Sequence, residues 1–298
     1  MRALSSNKGS ALITLSITLT ILTVMCALVL DLGNVYAEKS KISKAADASV
    51  LAGAQELVTD SLNARNVTQD YILKNETGLK STTIQIDPDN RGIQVQLIKN
   101  VNYFFAQIIG IKNHDVAATA RARVENISAL SGVRPIAVVQ QTFTYGKLYT
   151  LKEGGGDGSA GNYAPISLGG SGSSNYEDNL TYGYPYTIKI GDVIMTETGN
   201  MAGSTQRAIN QLISQSSDTY DNYSINCPRV IFVPVVNTLT VNGKKAIKVL
   251  GFATFFLEGV TSANGQADVV GRFITYCMDG QTSSTAIDFG TYGIKLVQ

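Results

Sequence analysis

Few residues in this chain have the types and spacing to do chemistry, and each candidate is short of a partner. His114 is the single histidine, which removes two-histidine zinc motifs and leaves one imidazole base for a triad. Ser171 has Gly169 before it, but Ser173 stands where the second glycine of a nucleophile elbow belongs. Asp87, Asp89 and Asn90 resemble the opening of a calcium loop, yet Ile98 occupies the position of the bidentate glutamate. That stretch is therefore expected to be a hairpin turn. Gly156-Asp157-Gly158-Ser159-Ala160-Gly161 fits G-x-G-x-x-G, but Asn162-Tyr163-Ala164-Pro165 comes next and no helix opens to receive a phosphate. No catalytic residue, metal ligand or cofactor site is assigned, and no enzymatic activity is expected.

Two further candidates carry more. Cys227 and Cys277 are the only cysteines outside the apolar N-terminal run that holds Cys26. A bond between them would close a loop of about 50 residues, contributing roughly 4 kcal/mol in the chain-entropy model. Spacing alone leaves that pairing open. Asp31 is the first charge after Ser10–Leu30, a stretch with none. It marks a membrane exit, or it pairs with a cation on a neighbouring subunit, where low dielectric would strengthen the pairing.

The element that positions Asp31 is the apolar run. Its Leu, Ile and Val residues contribute about −0.3 to −0.6 kcal/mol each to insertion, very roughly −3 to −6 kcal/mol together. Thr14, Ser16, Thr18, Thr20 and Thr23 subtract from this, although their hydroxyls can bond the i−4 carbonyl within a helix. About 20 residues at 1.5 Å each match a hydrocarbon core of about 30 Å. Two processing routes compete with an uncut span. One is signal-peptide cleavage near Val35-Tyr36-Ala37, for which the run is too long. The other is pilin-type cutting after Gly9; pilins usually carry Glu where this chain has Thr14. Arg2 and Lys8 precede the span and Lys39, Lys41 and Lys44 lie beyond it. The nearer pair favours a cytoplasmic N-terminus, with the remainder outside.

Beyond the span the helix should continue. Leu28, Leu32, Val35, Ile42, Ala46, Val50, Gly53 and Leu57 recur at helical spacing, with Glu38, Lys39, Lys41, Lys44 and Glu56 off the stripe. Ala45, Ala48 and Ala52 thin the surface enough for another backbone to approach. A continuous helix from Ser10 to Val58 would be about 70 Å long.

The sequence Leu30-Asp31-Leu32-Gly33-Asn34-Val35-Tyr36, then Ala45-Ala46-Asp47-Ala48 and Leu51-Ala52-Gly53-Ala54, resembles the N-terminal module of TadE/TadG-like proteins. These belong to the Flp (tight adherence, type IVb) pilus-assembly system. The D-x-G-x-x-Y and A-A-D-A elements carry the resemblance, over roughly the first 55 residues. It implies a pseudopilin-like component anchored in the cytoplasmic membrane. Larger members carry a von Willebrand-type domain with a D-x-S-x-S metal motif, which this chain does not have. The resemblance adds Gly33, Tyr36 and Asp47 to an assembly surface otherwise drawn from Asp31, Val35, Ile42, Ala45, Ala46, Ala48, Val50 and Leu57.

Further along, Asn63–Asn75 reads as a helix with Ala64, Val67 and Tyr71 on one face. Thr82–Ile86 and Gly92–Ile98 form a hairpin, Tyr103–Ile109 a second helix and Val116–Val124 a third strand. After Ser131 come strands at Pro135–Phe143 and Ile188–Thr196, Gly/Ser-rich loops at Gly154–Gly161 and Gly169–Ser174, and one helix from Ser204 to Ile213. Val230–Val241 and Lys244–Leu257 flank Asn242-Gly243, a strong hairpin signal. Val269–Thr275 and Thr291–Val297 complete the strands.

The predicted class is α+β in three parts. Residues 1–58 form a transmembrane anchor and stalk, 59–131 a small α/β domain, and 132–298 a β-rich, sandwich-like extracytoplasmic domain. A net charge of +1 gives no reason to expect a nucleic-acid partner. The expected partners are membrane lipid, pilin or pseudopilin helices, other assembly proteins, and a second copy of the chain. The expected role is scaffolding in a Flp/Tad-type pilus or secretion apparatus. The alternatives are a minor pseudopilin within the filament and a tethered surface adhesin.

Overall fold

Helix α1 (Lys8–Glu56) runs 49 residues without interruption, about 74 Å at 1.5 Å per residue. No proline lies within it, and its only glycines are Gly9, Gly33 and Gly53. The computed structural model describes residues 8–153, 162–197, 201–239, 244–263 and 265–297. The Gly156–Gly161 loop, the Asn242-Gly243 turn, Arg2 and the middle of the segment Thr196–Met201 fall outside them. Within them the architecture is α+β. Contacts divide it into two units, Met1–Arg123 with Leu296–Gln298, and Val124–Lys295. Neither boundary is the 58/59 division expected from the sequence, because the stalk packs into one unit with the helix and strands between Ser61 and Arg123.

In the first unit α1 ends where Asp60 takes over as N-cap of α2 (Ser61–Asn75), its carboxylate accepting from the Leu62 and Asn63 amides at 2.8 and 3.2 Å. The buried face of α2 is Ala64, Thr68 and Ile72. The expected Ala64, Val67, Tyr71 face is rotated from this, and Tyr71 is exposed. The i, i+4, i+8 row wins because its smaller residues allow α2 to lie close on α1.

Strands β1 (Leu79–Ile86) and β2 (Gly92–Asn102) form the expected antiparallel hairpin, longer at both outer ends. Strand β3 (Asn113–Leu130) pairs antiparallel with β2 from Asn113 to Arg123. Asp87, in the hairpin turn, receives Arg121 at 2.6 Å and Arg123 at 2.7 Å, and Arg123 also reaches Asp89 at 2.7 Å. Instead of a helix over Tyr103–Ile109, the chain makes one 3-10 turn, Ala106–Ile109, stopped by Gly110 at φ 90°.

In the second unit the strands are β4 (Ile136–Val139), β5 (Leu148–Glu153), β6 (Asn162–Ser167), β7 (Ile188–Lys189), β8 (Val193–Thr196), β9 (Val230–Val236), β10 (Ala246–Ala263), β11 (Gln266–Ile274), β12 (Tyr276–Cys277), β13 (Gln281–Ser283) and β14 (Thr291–Val297). One sheet runs β11-β5-β6-β4-β9-β10, and β10 pairs again with β11, so the sheet curls until its pairings close. Strand β8 bridges β10 and β6. The last part of β3 pairs with β13 and β7, and β12 lies parallel beside β14. The expected Ile188–Thr196 strand is thus two short pieces, broken at Gly191 with φ 95°.

Among the described residues two helices, not one, accompany the sheet: α3 (Ser173–Tyr182) and α4 (Ala202–Ser214). Ser204 lies inside α4 and is not its cap. Arg207 of α4 donates to both carboxylate oxygens of Glu177 on α3, and the Tyr176 and Thr205 hydroxyls meet at 3.0 Å. The core beneath combines Tyr176, Leu180, Ile209 and Leu212 with Phe255 and Phe273 of the sheet. The latter two rings meet edge-on, centroids 4.9 Å apart.

Candidate functional site: the exposed apolar helix and the loop beside Asp31

The first half of α1 exposes its apolar side chains. Among the described residues nothing covers the large apolar side chains from Leu12 to Leu30 or that of Leu32, and no residue in the most apolar stretch is buried. It is the one described helix long and apolar enough to cross a membrane. Its polar residues are internally satisfied. Thr14, Ser16, Thr18, Thr20 and Thr23 each donate to the carbonyl four residues earlier, at 2.8–3.0 Å. A hydroxyl with an acceptor on its own helix costs less in lipid than one without.

The second half is held by the protein itself. Ile42, Ala45, Ala46, Ser49, Val50, Gly53, Ala54 and Leu57 are buried. Ile42 packs with Val101, Val116 and Ala118, and with the partly buried Val35. At Gly53 a Cβ would lie 1.9 Å from Thr68 Oγ1 and 3.0 Å from the Ala64 carbonyl oxygen. The small residues of this stripe do admit another backbone, and in this fold it is the chain's own α2. Val35, Ile42, Ala45, Ala46, Val50 and Leu57 are therefore engaged within the first unit. Of the remaining assembly candidates, Gly33, Tyr36 and Asp47 are exposed and Ala48 is half-buried. Tyr36 is 77% exposed.

Contacts along α1 fix the direction of β2. Ile93 lies beside Gly53, Val101 beside Ile42, and the Asn102 carbonyl accepts from Asn34 Nδ2 at 3.4 Å. The strand thus descends the helix toward the span, and the β2–β3 loop arrives beside Asp31. There the carboxylate accepts from three consecutive amides. Phe104 N–H reaches Oδ1 at 2.6 Å, Ala106 N–H reaches Oδ2 at 2.8 Å, and Phe105 N–H reaches both oxygens at 3.2 and 3.1 Å.

Asp31 is 3% exposed. Burial alone would raise its pKa, but the hydrogen bonds from Phe104, Ala106 and Phe105 outweigh burial and hold the carboxyl below its ordinary range. Of the two readings open from sequence, a bare exit marker and a partner for a foreign cation, neither includes this bond to the chain's own loop. No local motif ties position 31 to position 104, so only the tertiary fold reveals it.

A second polar cluster sits at Glu38, about two turns further along α1. Lys99 of β2 reaches Glu38 at 2.7 Å and Glu76 at 2.6 Å, and Lys41 reaches Glu38 at 2.6 Å. Lys41 and then Lys99 lower the Glu38 pKa. Burial opposes the charge on Lys99, yet its two carboxylates raise its pKa on balance.

Elsewhere the candidates are dispersed. His114 is exposed near the start of β3 and Ser171 is exposed ahead of α3. Cys227 and Cys277 are not joined by a disulfide. Cys227 is buried against Val230, Phe256 and Ile274, its sulfur 3.9 Å from Ser216 Oγ, and burial raises its pKa. Among the described residues no three His, Cys, Asp or Glu side chains gather closely enough to hold a metal ion.

The family described as Flp pilus-assembly TadE/G-like matches residues 9–56, all of α1 but its first residue. Neither a curated protein nor a solved structure shows a significant match to the chain.

Proposed function

We propose that this chain, whose N-terminal helix is a TadE/G-like Flp pilus-assembly module, is a membrane-anchored, non-enzymatic scaffold of a Flp/Tad-type pilus or secretion apparatus. Residues 10–30 cross the cytoplasmic membrane, the N-terminus stays inside, and both folded units stand outside. One observation carries this: an uninterrupted helix whose apolar first half has no cover among the described residues, and whose second half is built into a folded unit. A helix rooted in this way holds that unit at a fixed height above the bilayer. The orientation is supported by Arg2 and Lys8, the basic residues nearest the span, on its N-terminal side.

The face left for a partner helix is Leu28, Leu32, Gly33 and Tyr36. All four are exposed, and a Cβ at Gly33 would meet nothing within 4 Å. Such a surface suits lateral packing with the apolar helix of a pilin or pseudopilin. An exposed apolar half-helix is also what a subunit inside a filament needs, so a minor pseudopilin is the second reading. A photo-crosslinking side chain at Tyr36 in cells should join the chain to a pilin or pseudopilin identified by mass spectrometry. Adducts only to lipid would refute the packing face. Recovery of the chain in purified, sheared filaments would establish the second reading over the first.

A further inference from the structure

We infer that the β2–β3 loop, residues 104–111, is a second membrane contact: an apolar collar seated in the lipid headgroup–acyl boundary beside the point where α1 leaves the bilayer. The inference rests on Ser10–Leu30 being a membrane span. The loop reads Phe-Phe-Ala-Gln-Ile-Ile-Gly-Ile, with no charged residue. Its large side chains face away from the protein: Ile108 is 83% exposed, Ile109 77% and Phe104 67%, with Phe105 and Ile111 also exposed. Five such residues on one short loop form an apolar patch that water does not favour.

The position of the patch decides what covers it. The Asp31 carboxylate holds the Phe104, Phe105 and Ala106 amides, and Asp31 is the residue immediately after the span. The patch is thus fixed beside the point where the uncharged run of α1 ends. Lipid is the occupant at that point.

The backbone is prepared for a place poor in water. Six of the eight loop amides, those of residues 104, 105, 106, 108, 110 and 111, have acceptors. Asp31 serves the first three, and the Phe105, Gln107 and Ala106 carbonyls serve the others. Unsatisfied amides are what a lipid environment penalises most. At the neck of the loop the Tyr103 amide donates to the Lys112 carbonyl at 3.0 Å. This places an aromatic ring and an ammonium where headgroups would meet them. A loop of this kind should enter by about 5–10 Å.

The chain contains no tryptophan, so one introduced indole reports its own surroundings. The full-length protein carrying Ile109→Trp would be reconstituted in phosphatidylcholine vesicles brominated either near the glycerol end or near the methyl end of the acyl chain. Leu22→Trp serves as the reference for the span. Ile109→Trp should lose about half its emission to the shallow bromines and little to the deep ones, at the depth expected for an interfacial element. Leu22→Trp should show the reverse preference. An unquenched, water-like spectrum for Ile109→Trp beside a quenched Leu22→Trp overturns the collar while leaving the span intact. Failure of both to quench overturns the span and the collar with it.

Discussion

Gly53 on α1 and Thr68 on α2 approach so closely that a methyl group on the glycine would overlap the threonine hydroxyl oxygen, at 1.9 Å. Thr68 cannot simply turn away, because its hydroxyl donates to the Ala64 carbonyl at 2.7 Å and the residue is fully buried. The contact joins the stalk to the rest of its unit. Gly53→Ala should therefore destabilise that unit by about 1–3 kcal/mol, although alanine favours an isolated helix by about 1 kcal/mol. Adding Thr68→Ala should restore part of the loss. Thermal denaturation of the single and double variants measures both. A Gly53→Ala protein more stable than the parent would contradict the close approach.

Asp31→Ala removes the acceptor of three amides at once. Hydrogen exchange at Phe104, Phe105 and Ala106 should accelerate roughly tenfold or more, with little change in the second unit. Asp31→Asn keeps one carbonyl acceptor and should fall between the two. The same bond is pH-sensitive. Its carboxyl has a depressed pKa in the folded state, so its contribution is complete above the unfolded value and is lost as pH falls through the folded one. Protection of these amides should thus decline only below the ordinary carboxylate range.

Lys99 joins Glu38 to Glu76 across the stalk, and Glu38 also holds Lys41 at 2.6 Å. Lys99→Met should cost about 1–3 kcal/mol, less than a fully buried pair because the side chain retains some exposure. With Lys99 raised, its contribution is present below the unfolded lysine pKa and is lost as pH rises through the higher folded value. With Glu38 lowered, its contribution is lost at the acid end. Chemical denaturation across pH should show the Lys99→Met penalty shrinking at both extremes.

In the second unit Phe273 lies between Phe143, Tyr149 and Phe255. Phe273→Ala should cost about 3–5 kcal/mol, measured by thermal denaturation against Phe104→Ala. The exposed Phe104 should be near neutral when the same detergent-solubilised protein is tested in the same way. Alkylation of the unfolded, unreduced protein should modify both Cys227 and Cys277; protection of the two together would show a bond between them.

How much of this was legible in the chain depended on whether the signal was local. The uncharged run Ser10–Leu30, and the three-and-four spacing out to Leu57, announced α1 because a helix is specified by its own period. The alternation in Thr82–Ile86 and Gly92–Ile98 announced the hairpin for the same reason. Ser204 misled because serine before an apolar row looks like a cap, while the backbone enters α4 two residues earlier. Helix α3 was hidden behind Gly169–Ser174, whose turn-forming residues run directly into its first turn. The stalk's apolar stripe was visible, but which helix covers it was not, since a second subunit and the chain's own α2 demand the same small residues. The Asp31 clamp joins positions 73 to 75 apart in sequence, and no periodicity reports such a pairing.

The central claim is that α1 remains in the cytoplasmic membrane with both folded units outside, and protease protection in intact spheroplasts tests it most directly. With an N-terminal tag and an antibody to the C-terminus, external protease should remove the C-terminal signal and leave a small tagged membrane fragment. Full protection of both ends, or recovery of the protein from the medium beginning after residue 30, would contradict it.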